Sequence, residues 1–267
     1  MLRRLNGIHV DPDVVLVTCD IESLYTSIYH DQGVRASRSF LTMSDYDNGM
    51  IEFILTLLEF MLTHNYFLFK DRLFLQLQGT AMGASCAPAY ANLFLGLWER
   101  EIVQETPGYD AALLWSRYID DVFFLWQDTI PALENFLACL NQNTRNIRLT
   151  WKYSLTNVEF LDIMITKGSD GHLSTDLFRK STAVNALLHA SSAHHPNTIR
   201  AIPTGQFLRT RRICSSDKQF EQQAGVLTQR FLERGYQYNT IQRGYERAKK
   251  TSRDSLLIML FISVWNW

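Results

Sequence analysis

The chain has 267 residues, of which 46% are hydrophobic and 20% are charged, with 13 glycines and 6 prolines. This composition predicts a globular protein with a sizeable apolar core and argues against a disordered, collagen-like or solenoid architecture. Because 26 Lys and Arg stand against 27 Asp and Glu, the formal net charge of -1 gives no global sign of a polyanionic partner.

The charge is unevenly distributed along the chain. Residues 200–253 contain 12 Lys and Arg against 4 Asp and Glu, a net charge of +8, which leaves 14 against 23, or -9, for the remainder. This asymmetry indicates that the basic part contacts nucleic acid and that the function of the acidic part requires carboxylates.

The cysteines and the two ends of the chain bear on its compartment. The four cysteines are far apart and form no Cys-x-x-Cys pair, which predicts buried thiols of a reducing compartment and not a disulfide framework or a zinc site. The first 13 residues lack the apolar region of a secretory signal. Residues 256–267 are strongly apolar, but a membrane-spanning helix needs about 20 residues. We therefore expect a protein that is neither secreted nor membrane-spanning.

In chain order, β-branched and apolar runs predict strands, and runs of strong helix formers predict helices. A buried strand at residues 14–19 ends at Asp20, and a helical stretch follows it. The next predicted elements are a helix packed between other layers at 51–62, a hairpin at 66–77, a helix at 84–100, two strands at 117–126, a helix at 131–141, and strands at 147–153, 158–165 and 173–178. Basic helices follow Pro196.

The order of these elements predicts the fold class. Strands and helices mixed without regular βαβ alternation predict an α+β first part, whereas the second part is mainly helical. We expect the boundary at about 165–195. The predicted division is 1–165, 166–250 and an apolar tail at 251–267.

Acidic residues lie at the ends of buried strands. Asp20 ends the first strand, and the pair Asp120-Asp121 separates the two strands at 117–126. Three carboxylates brought together repel one another and need compensating cations, and hard oxygen ligands select Mg²⁺ or Mn²⁺. Two such ions about 3.5–4 Å apart stabilise the attacking and leaving oxygens of a phosphoryl transfer. Taken alone, the pair is equally typical of a tight turn, and Asp20 of a helix cap.

Three motifs occur in an order and at spacings that fit one known architecture. They are DIESLYTSI from Asp20, QGTAMGASCAPAYANLFL from Gln78 and YIDDVFFLW from Tyr118. In these motifs the chain resembles a reverse transcriptase, and it is most similar to those of Penelope-like retroelements, which also have FLD (160–162) and GQFLRTRRIC (205–214). The resemblance implies the right-hand polymerase palm, an antiparallel sheet backed by helices, followed by a helical thumb.

The resemblance also implies the roles of the acidic residues. Asp20 and Asp120 match the metal ligands, the Ile21 backbone carbonyl adds one ligand, and Asp121 is the supporting carboxylate for two Mg²⁺ or Mn²⁺ ions. Lys152 matches a lysine that protonates the leaving pyrophosphate. An outward lysine on an alternating strand is the alternative interpretation of Lys152.

Three further residues match the nucleotide-binding part of the family. Tyr25 corresponds to an aromatic ring that crowds the sugar 2′ position and favours deoxynucleotides, or it is a core aromatic on a helix face. Gln78 would hydrogen-bond the substrate or the template backbone, and Gly79 would allow close approach. A solvated glutamine at the end of a hairpin is the alternative for Gln78.

Residues of the second part match the family's contacts with primer and template. The FLD motif, Phe160, Leu161 and Asp162, resembles a strand turn that holds the primer 3′ end, although such a motif is also common in cores. The basic helices resemble the thumb, with phosphate contacts that are blind to sequence. The thumb arginines are Arg209, Arg211 and Arg212. A solvated helical surface is the alternative.

The implied activity is RNA-directed DNA polymerisation by a retroelement enzyme that serves DNA integration. Its partners would be an RNA template, a DNA primer and deoxynucleoside triphosphates, and its compartment the nucleus, otherwise the cytoplasm. Only 19 residues precede Asp20, so we expect most of the fingers region to be missing, and no GIY-YIG endonuclease follows Lys250. The alternatives are a truncated, inactive fragment that binds nucleic acid and, ranked lower, a telomerase-like polymerase.

Overall fold

The structure of the protein is a computed structural model that describes residues 1–180 and 182–258. Most of the predicted apolar tail, residues 259–267, lies outside the described residues. The chain divides into two compact units. Asp13–Ser154 form one, here called the sheet unit, and Met1–Pro12 with the chain from Leu155 form the other, here called the helical unit.

The sheet unit is built around a four-stranded antiparallel sheet with the strand order β4-β5-β1-β6. Its strands are β1 (Val15–Ile21), β2 (Tyr66–Phe69), β3 (Arg72–Leu75), β4 (Ala112–Tyr118), β5 (Asp121–Trp126) and β6 (Leu149–Ser154), of which β2 and β3 form a separate hairpin. Its helices are α2 (Leu24–Ser27), α3 (His30–Leu41), α4 (Asn48–Thr63), α5 (Ala87–Trp98) and α6 (Ile130–Asn141). A π-helical turn, Glu99–Val103, extends α5.

Alternation along the strands puts the core of this unit on one face of the sheet. Val15, Val17 and Cys19 of β1 share that face with Val122 and other apolar residues of β5. Apolar residues of α3, α5 and α6 complete the same buried cluster. The strands predicted at 14–19, 117–126 and 147–153 all belong to this sheet, and β4 begins earlier than expected, at Ala112.

The prediction for the helix at 51–62 was wrong about its packing. In α4, which has this sequence, Ile51 and Leu55 are buried on one face, but Phe53, Leu57 and Phe60 are exposed. The helix therefore covers the core from one side and does not lie between two layers. The neighbouring hairpin exposes all of its strand residues, and its turn at Lys70 and Asp71 has positive φ values, as a two-residue hairpin turn requires.

The helical unit combines a small antiparallel sheet with a helical bundle. Its strands are β7 (Asn157–Phe160), β8 (Ile163–Lys167) and β9 (Leu173–Leu177), paired in that order. Its helices are α1 (Leu2–Leu5), α7 (Pro196–Ile213), α8 (Asp217–Glu233), α9 (Tyr238–Lys250) and α10 (Arg253–Ile258). The strand expected at 158–165 is two strands, because the chain reverses at Leu161 and Asp162. The unit boundary follows Ser154, earlier than the expected 165, because β7 pairs with β8.

The bundle has its own core of aromatic residues. Phe207 of α7 packs with Phe231 of α8 at a ring-centroid distance of 6.0 Å and with Tyr245 of α9 at 5.9 Å. Ser216 and Gln219 form a capping box that begins α8. Within the described part of the chain, no helix is both long and apolar enough to cross a membrane.

All four cysteines are free thiols. Cys19 and Cys214 are buried, and burial raises the pKa of each of these thiols to about 12. Cys86 and Cys139 are half-buried. The prediction of buried thiols is therefore confirmed for Cys19 and Cys214, whereas Cys86 and Cys139 are only partly covered.

Candidate active site

Two neighbouring strands bring two of the three predicted aspartates, Asp20 and Asp121, opposite each other at one end of the four-stranded sheet. The antiparallel register of β1 and β5 puts Asp20 directly opposite Asp121. Residues opposed in this way project from the same face, with Cβ atoms about 4.5–5.5 Å apart. Asp120 lies in the turn between β4 and β5, and its carbonyl oxygen accepts a 3.1 Å hydrogen bond from the Ile21 N–H. Asp20 is exposed, and the other two aspartates are half-buried.

The donor set fits a metal ion that protein and substrate hold jointly. Among residues 1–180 and 182–258, no group of three or more His, Cys, Asp and Glu side chains could hold a metal ion. Magnesium is commonly held by one or two carboxylates together with waters and substrate phosphates, so two opposed aspartates suffice. Ile21, the expected backbone ligand, adjoins Asp120 through the hydrogen bond between their peptides.

The turn that precedes the aspartate pair is strained and is held by an arginine. Ile119 has a φ of +54°, a left-handed conformation that is costly for a β-branched residue. The Arg117 guanidinium donates to the Ile119 carbonyl at 3.2 Å and to Asn92 Oδ1 at 2.9 Å. It also donates two bonds of 2.9 Å to Glu99, which accepts a third from Trp115.

Arg117 and Glu99 are thus a positioning pair for the aspartate turn, here called the Arg117 clamp. The side chains are only 11% and 20% exposed, so water screens this ion pair weakly. Neither residue is among the site residues predicted from the sequence. Arg117 stands three positions before Asp120, and this proximity was the signal that could have found it. Its partner Glu99 comes from the distant π-helical turn.

Gly79 is where the second motif meets the first. Its φ is +75°, its N–H donates to the Ile28 carbonyl at 2.9 Å, and its own carbonyl lies 2.8 Å from His30 Nε2. A Cβ at this position would lie 2.4 Å from the Tyr25 carbonyl oxygen. Gly79 therefore permits a close approach between two parts of the chain's own backbone, in addition to any approach by a substrate.

Gln78 and Tyr25 flank this contact. Gln78 Nε2 donates to the Ser27 carbonyl at 3.0 Å, so the side chain is not merely solvated. Tyr25 is half-buried and packs against the core of the sheet unit. The ring is therefore partly a core aromatic, and its exposed part is still accessible to a substrate.

Lys152 lies on β6, which pairs with the other edge of β1. The register puts Lys152 opposite Thr18, two residues before Asp20 on the same strand. Because alternate residues share a face, Lys152 and Asp20 project from the same side of the sheet. Lys152 is exposed.

In the helical unit, the FLD turn and one thumb arginine are joined. Leu161 has a φ of +55° in the two-residue turn between β7 and β8, after the buried Phe160. Asp162 forms an ion pair with Arg209 of α7. Burial, and secondly the charge of Arg212, lowers the pKa of the Arg209 guanidinium.

Leu161, Asp162 and Arg209 line one groove with a volume of about 450 Å³. Its cationic residues are Arg179, Lys180, Arg209 and Arg230. Asp162 is the acidic residue among the groove residues, and Leu161 adds an apolar surface. The predicted primer contacts and part of the predicted thumb surface therefore lie together.

The other two predicted thumb arginines make contacts inside the unit. Arg211 forms an ion pair with Asp217, donates to the Thr251 carbonyl at 3.2 Å and lies 5.3 Å from the Phe220 ring centroid. Arg212 has a buried Nε without a hydrogen-bond partner in the described part of the chain. Nucleic-acid contact by Arg211 and Arg212 stays a prediction, and the contacts of Arg211 within the fold give that residue a structural use.

A family model covers part of the helical unit. The model of the animal helix-turn-helix domain matches residues 186–245, which include α7, α8 and the first part of α9. Among curated proteins, none matches the sequence significantly.

Solved structures of nucleic-acid polymerases resemble the whole chain. The telomerase of Candida albicans, solved with the TWJ fragment of telomeric RNA, matches with a TM-score of 0.61 and 11% identity over 96% of this chain and 48% of its own. The apo telomerase of Candida tropicalis matches with a TM-score of 0.54 and 11% identity, over 94% of this chain and 44% of its own. The Sicinivirus RNA-dependent RNA polymerase matches with a TM-score of 0.54 and 10% identity, over 88% of this chain and 52% of its own.

These likenesses establish the fold. The chain has an α+β polymerase palm, an antiparallel sheet backed by helices, followed by a helical thumb. The predicted fold class is therefore confirmed. The chain spans about half the length of each of these neighbours.

Proposed function

We propose that the chain is the catalytic core of an RNA-directed DNA polymerase from a Penelope-like retroelement. The observation that carries this proposal is the sheet register that puts Asp20 opposite Asp121, with Asp120 in the adjoining turn. The polymerase fold supports the same reaction class, and the three sequence motifs support copying of RNA into DNA. We also propose the nucleus as its compartment.

The aspartates would hold two Mg²⁺ or Mn²⁺ ions, with the Ile21 carbonyl as a further ligand. When bound, these ions would supply charge neutralisation for the triphosphate and activation of the primer 3′ hydroxyl. The primer 3′ hydroxyl gives its proton to water, its oxygen bonds to the α-phosphorus of a deoxynucleoside triphosphate, and the bond between that phosphorus and the β-phosphate oxygen breaks. Lys152, on the same sheet face as Asp20, gives a proton to the leaving pyrophosphate.

The loops around the aspartates would select and position the nucleotide. Tyr25 follows Asp20 by five residues, and its half-exposed ring would crowd a 2′ hydroxyl. Gly79 and Gln78 are bonded to residues 27 and 28, which fixes the second motif beside the segment that contains Tyr25. A fixed loop holds the substrate in a reactive geometry at lower entropic cost.

The groove of the helical unit would take the primer end. Leu161 and the ion pair between Asp162 and Arg209 offer an apolar surface and a guanidinium for the backbone of a nucleic acid. Arg179 and Arg230 add positive charge to the same groove.

Primer extension on an RNA template tests this proposal. The purified full chain receives a DNA primer, deoxynucleotides and Mg²⁺ or Mn²⁺, beside the variants Asp20→Asn and Asp121→Asn. We expect extension by the wild type and a loss of about a hundredfold or more in either variant, because charge stabilisation of the transition state is lost.

Asp110→Asn is the matched control, because Asp110 is an exposed aspartate outside the strand register of the site. It should extend the primer like the wild type. Equal activity of all four proteins would overturn the assignment of the aspartates. If none extends while all bind the primer-template with one salt dependence, the alternative of a nucleic-acid-binding fragment without catalysis replaces the proposal.

A further inference from the structure

The last two long helices of the helical unit form a helix-turn-helix. Helix α8 ends at Glu233 and α9 begins at Tyr238, so four residues connect them. The connection contains Gly235 with a φ of +75°, the left-handed conformation that ends a helix sharply. In such a pair the second helix is the one that a protein presents to duplex DNA.

The packing of α9 fixes which of its faces is outward. Ile241, Gly244 and Ala248 are buried, at the spacing of one helical face. A Cβ on Gly244 would lie 2.8 Å from the Thr204 backbone nitrogen of α7, so the two helices cross at close range. The opposite face of α9 is therefore held outward.

That outward face is a row of polar and cationic side chains along a shallow groove of about 530 Å³. The residues of the groove are Asn239, Gln242, Arg243, Glu246, Arg247 and Lys250. The three cations recur at helical spacing and cover about 10 Å along the axis, at about 1.5 Å per residue. Glu246 is the acidic residue of the row, and it accepts a 2.8 Å hydrogen bond from Gln242.

In the described part of the chain, the three cations of this row have no acidic partner, unlike several other cations of the bundle. Arg209, Arg211 and Lys249 form ion pairs with Asp162, Asp217 and Glu221. Arg243, Arg247 and Lys250 are exposed, and no ion pair involves them within the residues that the structure describes. A phosphate that binds them therefore does not have to displace a carboxylate.

We propose that α9 is a recognition helix that binds the major groove of duplex DNA. Asn239, Gln242 and Arg243, in its first half, are residue types that read the edges of adenine and guanine. Arg247 and Lys250, in its last turns, would contact backbone phosphates. B-form DNA fits because its major groove admits a helix, whereas that of duplex RNA is too deep and narrow. This binding is an additional activity that does not depend on the aspartates.

A DNA without ends separates this site from the polymerase. A covalently closed dumbbell of duplex DNA has no 3′ hydroxyl to extend, so its binding is independent of the proposed polymerisation. Fluorescence anisotropy of the full chain measures its affinity at several salt concentrations. We expect the triple variant Arg243→Gln, Arg247→Gln, Lys250→Gln to bind at least about tenfold more weakly, with a salt slope smaller by about two, at about 0.9 per phosphate contact.

A control triple removes the same charge from the same unit. Arg4, Arg200 and Lys218 are exposed and lie outside both the α9 row and the groove that contains Arg209. Their replacement by glutamine should change affinity less than the α9 triple. Equal losses in the two triples, or duplex RNA binding as tightly as the DNA, would overturn the proposal.

Sequence preference provides a second readout. Selection from random duplexes should give a preferred site for the wild type. Arg243→Lys keeps the charge but loses the bidentate fork, so it should relax that preference and keep the salt slope. Absence of any preference in the wild type would contradict base reading by α9.

Discussion

Each unit uses a glycine to bring two backbone segments into contact, with different results. In the sheet unit, Gly79 joins a loop to the segment after β1, and main-chain hydrogen bonds complete the contact. In the helical unit, Gly244 lets α9 cross α7 closely, and this contact turns a row of cations outward. Backbone contacts therefore fix the candidate active site of the sheet unit. The candidate DNA-binding surface of the helical unit depends instead on which cationic side chains have no acidic partner.

Replacing Gly79 or Gly244 by alanine should have the largest effect, a loss in the free energy of unfolding that is greater at Gly79 than at Gly244. Gly79→Ala combines a left-handed φ, which costs about 1–2 kcal/mol for other residues, with overlap against backbone, which costs about 1–3 kcal/mol. We expect a loss of about 3 kcal/mol. Gly244→Ala has only the cost of overlap and gains about 1 kcal/mol of helix propensity, so a net loss of about 0–2 kcal/mol should remain. Denaturant unfolding measures both.

Two other glycines are matched controls for this comparison. A Cβ on Gly83 or on Gly225 of α8 would have no neighbour within 4 Å. Their replacement by alanine should leave the free energy of unfolding unchanged or raise it by up to about 1 kcal/mol. Similar losses at all four positions would show that close approach is not what Gly79 and Gly244 provide.

The next effect is on the rate of primer extension. Arg117→Lys keeps the charge but cannot donate to Glu99, Asn92 and the Ile119 carbonyl together. The aspartate turn should shift, and displacement by about 1 Å can cost about a hundredfold in rate. We expect kcat to fall by about 10- to 100-fold with unchanged primer-template affinity. Amide exchange at residues 119–121 should become faster.

Arg38→Lys is the control for the Arg117 clamp. Arg38 forms its ion pair with Glu52 at an exposed position, so the substitution should leave extension and amide exchange as in the wild type. If Arg117→Lys also leaves both unchanged, the turn holds its conformation without the clamp.

The smallest effect concerns pH and the helical unit. The hydrogen bond from Tyr245, and then Lys249, lower the pKa of the Glu221 carboxyl below 4.5. The ionised group therefore stabilises the fold at pH values above about 4.5, and this contribution is lost as the pH falls through the lower folded pKa. Glu221→Gln should lower the melting temperature by no more than about 2 °C near pH 6 and by less near pH 3, because protonation of Glu221 removes the contribution as the pH falls.

Glu105→Gln is the control for this pH effect. Glu105 is exposed and has no ion pair within the described part of the chain. Its variant should follow the wild type at both pH values. A loss at pH 3 as large as that at pH 6 in Glu221→Gln would mean that the contact does not depend on ionisation.

Much of the sheet unit could be predicted from local sequence. Val14 to Cys19 and the apolar runs beside Asp120 predict strands through their composition, and the structure confirms them as β1, β4 and β5. The predicted packing of α4 was wrong because hydrophobicity on several faces does not show which faces are covered. The conformation of Ile119 and its partner Glu99 could not be predicted, because both depend on contacts distant in sequence.

The sequence by itself determined the fold class, the order of most elements and the grouping of acidic residues at strand ends. Composition and spacing suffice for these features because they depend on local propensity and hydrophobic periodicity. Only the tertiary structure decided that Asp121 lies opposite Asp20, because register depends on which strands pair. It also decided that Arg209 and Arg211 are paired with aspartates while Arg243, Arg247 and Lys250 of α9 have no ion pair among the described residues, since ion pairing depends on helix packing.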